Sequence, residues 1–504
     1  MGKIKLGWSE IDITPDKRIS LIGQFAERIS EYTEKPLTAT ALAIESGNDN
    51  VIFCSCDLAG TAWNLVLALR ERLREKNVGF NPDTVILNAI HTHTGYGYGG
   101  TQRSAMGKKG VIENYRKTIS QYLAPGQKYV ESAPVSRADD IATDEENFAL
   151  LLDKLSEVII SAWNNRREGS FSNAFGRAPV GMCRRAAYSD DTAQMWGDTN
   201  TAVFTELEGG NDSGIELLYV FDEKRELSGI VANLACPAQC VQHRLFISPD
   251  FWGEVKERIR RYFGEHIFLL PQCSAAGDQC PVDLVRWVDP ESDINDPNCL
   301  RTNPPKRKAD PSMFDLSGMK LTGRRIANEI IQVWEDGIDD AQEDIAFEHR
   351  TVNMQLPIRR ATLSDINAAH KGIREYMQAK VGDVDYNDIA RLQIHFGVLE
   401  RAELQEKMDC LETEVHIIKL GSIAFATNPF ELFLDYGNQI KARANCEQTF
   451  LIQLANGTEG YLPTLKAERH GHYSAFISSG QVGHEGGDLL VRQTLKNINE
   501  MFPR

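Results

Sequence analysis

Apolar residues recur at helical spacing over eight stretches of the chain: 62–76, 147–167, 251–263, 316–335, 363–380, 388–408, 429–443 and 487–501. In the second of these, Leu151, Leu155, Val158, Ile159 and Ala162 fall on one face, the mark of a helix laid against a core. Short apolar runs bounded by turn residues predict strands at 51–56, 84–90, 229–235, 267–271, 415–420, 423–427 and 449–454. The break at Gly421-Ser422 makes 415–427 a hairpin. Several strands run directly into a helical stretch, which predicts an α/β fold of mixed β-sheets flanked by helices. Two polar stretches rich in Gly, Pro and Asp, near 95–145 and 286–313, interrupt the pattern. Loops of that length serve as lids or binding loops, or are surface insertions without function.

The residues that follow the strands carry the chemistry. Asp57 follows the first strand, and His91-Thr92-His93-Thr94-Gly95 follows the second. Cys236-Pro237-Ala238-Gln239 comes after 229–235, and Gln272 to Asp278 after 267–271. Asn428 to Glu431 follows 423–427, while Asn456 and Tyr461 follow 449–454. Open α/β sheets bind ligands at the carboxyl ends of their strands, so six such endings predict an active site there. His91 and His93, two positions apart in extended chain, would face the same way and address one site, as metal ligands or as a hydrogen-bonded pair. Gly95 to Gly100 allows close approach of backbone to a substrate. It lacks the Lys-Ser/Thr ending of a phosphate loop, which argues against nucleotide binding. Glu431 is expected in the first turn of the helix over 429–443, favoured there by the helix dipole and available as an oxygen ligand.

Charge and cysteine usage narrow the partners. Against 71 acidic residues stand 55 Lys and Arg, a net charge of −16, which disfavours nucleic acid and anionic membrane surfaces. Ten cysteines spread over 504 residues, none in a CxxC pair, fit reduced thiols and a cytoplasmic location better than a disulfide framework. The start has no apolar signal segment, and no run of 18 uncharged apolar residues predicts integral membrane association. The expected partner is a small-molecule substrate.

These residues taken together resemble the neutral/alkaline (non-lysosomal) ceramidase family, in the manner of a divergent bacterial-type member of its N-terminal catalytic domain. Gly7 to Pro15 is similar to the family's DITP start. His91-Thr92-His93-Thr94-Gly95 resembles its HTHSG motif, and Ala276-Gly277-Asp278-Gln279-Cys280-Pro281 its AGDxSP motif. Asp57, Asn428 to Glu431 and Gly460-Tyr461 fall in the same order as its remaining elements. The likeness spans most of the chain, read as one catalytic domain over 1–504 with no room for the family's C-terminal immunoglobulin-like domain.

The resemblance implies one zinc ion (Zn2+) held by His91, Glu431 and Tyr461, with His93 beside it contacting substrate or moving a proton. Counting back from Asp250 and Gly253 puts Cys236 where the family has its second histidine ligand. A thiolate ligand at Cys236, a substitute from Gln239 or His243, and loss of the metal are the three readings that follow. Cys280 stands in place of the motif's serine, either as a small buried residue or as a nucleophile. Asp57 and Asp278 are expected to orient histidines, and Asp278 is also readable as a plain turn carboxylate. Asn428, His470 and His472 are further candidates for contact with the site. The expected activity is a zinc-dependent hydrolase cleaving an amide (N-acyl) or related acyl bond. The alternatives are a hydrolase of glycans or other polar substrates, a cysteine hydrolase using Cys280, and a non-catalytic binding protein of the same fold.

Overall fold

The computed structural model describes residues 2–24, 28–102, 115, 117–130, 139–287, 309–310 and 313–503. Three mixed sheets share one apolar centre. The first holds β1 (Gly2–Asp12), β2 (Thr38–Ser46), β3 (Asp49–Cys56) and β4 (Val85–Ala89). The second holds β5 (Ser170–Arg177), β6 (Gly214–Phe221), β7 (Leu227–Leu234) and β8 (Phe268–Cys273). The third holds β9 (Phe347–Pro357), β10 (Cys410–Leu420), β11 (Ile423–Thr427) and β12 (Gln448–Ile452).

Each sheet contains one parallel pair: β3 with β4, β7 with β8, and β11 with β12. These six strands are the six whose polar endings stand out in the sequence. Their apolar runs are nearly continuous because they are buried on both faces. In β3, Val51 and Phe53 face the shared centre, while Ile52, Cys54 and Cys56 face the helices outside. Phe425 and Ala424 of β11 divide in the same way. At the centre Phe425 lies 4.9 Å from Phe53 and 4.6 Å from Phe450, ring to ring, so the first and third sheets meet through aromatic contact.

Helices cover the outside. Leu65 and Leu69 of Trp63–Glu75 and Leu151 and Leu155 of Asp144–Asn164 pack on the first sheet. The latter helix begins three residues before its apolar stripe because Thr143 and Glu146 close a capping box. Phe251–Phe263 and Asp315–Gln332 pack beside the second sheet, and Leu434–Arg443 and His484–Met501 beside the third. Between β9 and β10 a helical hairpin, Leu363–Ala379 and Tyr386–Leu404, makes its own small core with Ile119, Tyr122 and Leu123. Among the described residues no helix is long and apolar enough to cross a membrane.

One element differs from its expectation. The helix predicted over 429–443 starts only at Leu434. Glu431–Leu432 is instead a short strand parallel to Tyr461–Leu462. Pro429 has no amide hydrogen, and the Phe430 amide is taken by the Asn428 side chain at 3.1 Å, so the chain stays extended until both elements have paired. Of the two polar stretches, 103–114, 116, 131–138, 288–308 and 311–312 lie outside the described residues. In the part that is described, Tyr96 and Tyr98 are buried and donate to the carbonyls of Ile13 and Gly60, both at 2.8 Å.

Candidate active site

The carboxyl ends of the parallel pairs are stitched together by buried amides. Asn88 donates to the Pro271 carbonyl at 3.2 Å and Asn233 to the Leu451 carbonyl at 2.7 Å. The Gln453 backbone amide donates to the Cys273 carbonyl at 3.0 Å. Polar side chains are spent here on backbone groups that would otherwise be buried without partners. The seam fixes where the following loops meet.

His91 leaves the end of β4 with a left-handed backbone, φ 63°. That turn, rather than an extended run, sets its ring 4.9 Å from that of His93, edge to face. Nδ1 of His91 bonds the Ala59 carbonyl at 2.6 Å and is therefore the protonated nitrogen. Nε2 faces Glu431 Oε2 at 3.3 Å. Glu431 and Tyr461 are register partners in their parallel pair, which brings phenol and carboxylate to one place. Gly277 closes the other side. Its amide donates to the Leu432 carbonyl at 2.8 Å, and a Cβ there would stand 2.3 Å from the Glu431 carbonyl oxygen.

Arg184 completes the cluster. It is buried, and donates to the Tyr461 hydroxyl at 3.1 Å and to the Gly277 carbonyl at 2.7 Å. Burial alone would lower its pKa, yet the neighbouring Tyr461 and Glu431 raise it, so the guanidinium stays charged. Burial likewise works against an ionised Glu431, but His91 and Arg184 outweigh it and hold the carboxyl below its ordinary pKa. Burial opposes the imidazolium form of His91 too, and Glu431 overcomes it, raising that pKa. His93 goes the other way. Burial first, then the positive neighbours His91, Arg28 and Arg184, lower it well below the ordinary value, so it is neutral. Gln239 donates to His93 Nε2 at 3.0 Å, which leaves the proton on Nδ1, a buried atom without a hydrogen-bond partner among the described residues. Burial also raises the Tyr461 phenol well above its usual range, with Glu431 adding to the effect.

The structure thus brings His91, His93, Gln239, Glu431 and Tyr461 together. The other candidates have partners of their own. The Cys236 thiol sits in the core of the second sheet and donates to the Val180 carbonyl at 3.3 Å, its pKa raised by burial and then by Cys273, Cys280 and Asp250. Cys280 is wholly buried against Val282 and Leu284, its thiol 3.5 Å from the Val282 carbonyl. Asp57 is held by Lys256 and Thr38 at 2.9 Å each. Asp278 accepts the Leu434 amide at 2.9 Å and so caps the helix after Glu431. Asn428 shapes the turn before Glu431. His243 stacks on Phe314 at 5.0 Å, next to Asp315. His470 binds Glu208 at 2.8 Å, and His472 accepts the Met195 amide at 3.1 Å.

Two participants carry no sequence motif: Arg184 and Tyr473, whose ring lies 5.5 Å from Tyr461. The signal for the first was the pair Arg184-Arg185 among small apolar residues, where buried cations demand counter-charges.

Among the described residues, no three His, Cys, Asp or Glu side chains gather as a metal site. A fit for a divalent cation rests on His91, Glu431 and the Tyr461 phenol. The Nδ1–H bond to a carbonyl is how a metal-ligating imidazole is held, and it aims the Nε2 lone pair at Glu431. One nitrogen and two oxygens form a donor set that suits zinc.

No family model matches the chain, and no curated protein does. Solved structures do. A neutral ceramidase from Pseudomonas aeruginosa superposes with a TM-score of 0.64 at 15% identity, over 98% of this chain and 74% of that one. A ceramidase complexed with C2 gives 0.64 at 14% identity, over 100% and 76%. The chain therefore has the fold of these enzymes, an α/β architecture of mixed sheets with helices outside.

Proposed function

We propose that the protein is a hydrolase of N-acyl amide bonds, with zinc held by His91, Glu431 and Tyr461. The observation that carries the reading is the meeting of these three side chains, with His93 and Arg184, at the strand ends of a fold shared with neutral ceramidases. Bound zinc would supply Lewis acidity toward water and toward the scissile carbonyl.

The chain's own groups have separable tasks. Arg184 holds the Tyr461 hydroxyl and keeps a desolvated positive charge beside it, where negative charge on a carbonyl oxygen would develop. Neutral His93 offers Nδ1–H as a hydrogen-bond donor for the substrate's polar atoms. Gln239 fixes that tautomer. Cys280, enclosed in an apolar cluster, has no task in this scheme.

Purified protein offered N-acyl compounds of graded acyl length should release free acid and amine. Elemental analysis should find about one zinc per chain, and chelation should remove both metal and activity. Hydrolysis that survives complete metal removal would discard the zinc part of the reading. Turnover of glycosides with no turnover of any N-acyl compound would discard the amide part.

A further inference from the structure

Tyr473 reaches the site from a loop whose backbone is unusual. Gly471, His472 and Ser474 all have φ 71°, a left-handed conformation that side-chain-bearing residues rarely adopt. Two such residues flanking a site tyrosine need a restraint, since outliers persist only where the surroundings impose them.

The restraint is Arg185, which is 0% exposed. One terminal nitrogen donates to the Tyr473 carbonyl at 2.8 Å and to the Ser474 hydroxyl at 3.3 Å. The other donates to the Gly471 carbonyl at 2.6 Å and to Glu208 at 3.2 Å. Nε is bonded to Glu208 as well. Glu208 in turn accepts His470 Nδ1 at 2.8 Å, and its carbonyl accepts Lys466 at 3.0 Å. One planar fork therefore gathers the carbonyls on both sides of His472, a geometry an ammonium group cannot copy. Arg184 and Arg185 are adjacent, yet the first grips Tyr461 and the second grips the loop of Tyr473.

We propose that Arg185 is a positioning residue, whose buried fork with Glu208 holds loop 471–474 in its left-handed form and so delivers the Tyr473 ring against Tyr461. The functional part of this inference rests on the amide-hydrolase reading; the clamp itself does not.

The test uses the full chain loaded with zinc, in wild-type form and as Arg185→Lys, Tyr473→Ala, their double variant, and Arg185→Lys/Ser474→Gly. Lysine keeps a charge for Glu208, so folding is preserved, and thermal unfolding checks it. Hydrogen exchange of the amides in 470–476 should quicken in Arg185→Lys while the sheet amides stay protected. The kcat for an N-acyl substrate should fall about a hundredfold, with KM little changed. The double variant should lose no more than the larger single loss, because both act through one side chain. Glycine at 474 tolerates the left-handed backbone unaided and should restore part of the lost rate. Unchanged exchange in 470–476 would overturn the clamp even if wild type hydrolyses no N-acyl compound. Fully additive losses, or no rescue by Ser474→Gly, would overturn the positioning role.

Discussion

Arg184 decides the electrostatics of the cluster at the scale of one residue. It holds down the pKa values of both His91 and Glu431 and occupies the Tyr461 hydroxyl. Arg184→Met should therefore raise the pKa of His91, read by NMR titration of its ring. It should also lower kcat for N-acyl hydrolysis by about 10²–10³-fold, the usual cost of losing one buried donor to a developing oxyanion.

Asp278 makes the opposite electrostatic argument. Burial raises its pKa from 3.8 to about 6. A carboxyl raised in the folded state contributes stability that is complete below pH 3.8 and is lost as pH climbs through 6. Asp278→Asn escapes that loss. Its stability relative to wild type should improve by about 3 kcal/mol between pH 4 and pH 7, measured by urea unfolding at each pH. A constant difference across that range would mean that Asp278 is ionised throughout.

Short elements, more than long ones, separate what is legible in the sequence from what is not. The six strands with polar endings and the helix stripes were readable, because burial on both faces or on one leaves a plain period in the residues. Glu431 was readable as a site residue and misread as helical. The two-residue strand that carries it is defined by pairing with Tyr461–Leu462, a long-range partner that no local period reveals. Tyr473 was invisible for the same reason, and Arg184 showed only as one of a pair of cations among apolar residues, since short strands and left-handed turns set them in place. Cys236 was singled out by counting residues, and counting does not show that its thiol turns toward Val180. The strand of Glu431 also depends on a missing side chain. Gly277→Ala would set a methyl 2.3 Å from the Glu431 carbonyl, so it should displace Glu431 and, under the proposed zinc reading, weaken metal binding at least tenfold by chelator competition. Unfolding temperature should move far less than affinity does.

Across the whole molecule, three sheets are bound to one another by their common centre, and the first and third also by one buried charge network. Arg70, from a helix on the first sheet, makes two bonds to Glu414 of the third at 2.7 and 3.0 Å. His416 and His349 continue the chain of contacts, at 3.0 and 2.9 Å, to the Asn50 carbonyl at the start of β3. Burial and then His416 push the His349 pKa down to about 3, so His349 is neutral there. Arg70→Met strands Glu414 in the interior and should cost about 3–5 kcal/mol. Phe425→Ala, which empties the aromatic contact between sheets, should cost a similar 3–5 kcal/mol. Denaturant unfolding measures both.

The distribution of the site over the three sheets also has a kinetic meaning. Arg184 and Tyr461 are 277 positions apart in the chain, and no single sheet contains both halves of the cluster. Contacts so distant in sequence form slowly, after the local helices and hairpins. On dilution from denaturant, secondary structure should therefore return well before the metal affinity that the proposed function calls for. A nascent chain that has completed only the first two sheets has His91 but neither Glu431 nor Tyr461, so under the proposed zinc reading metal binding would wait for the third sheet.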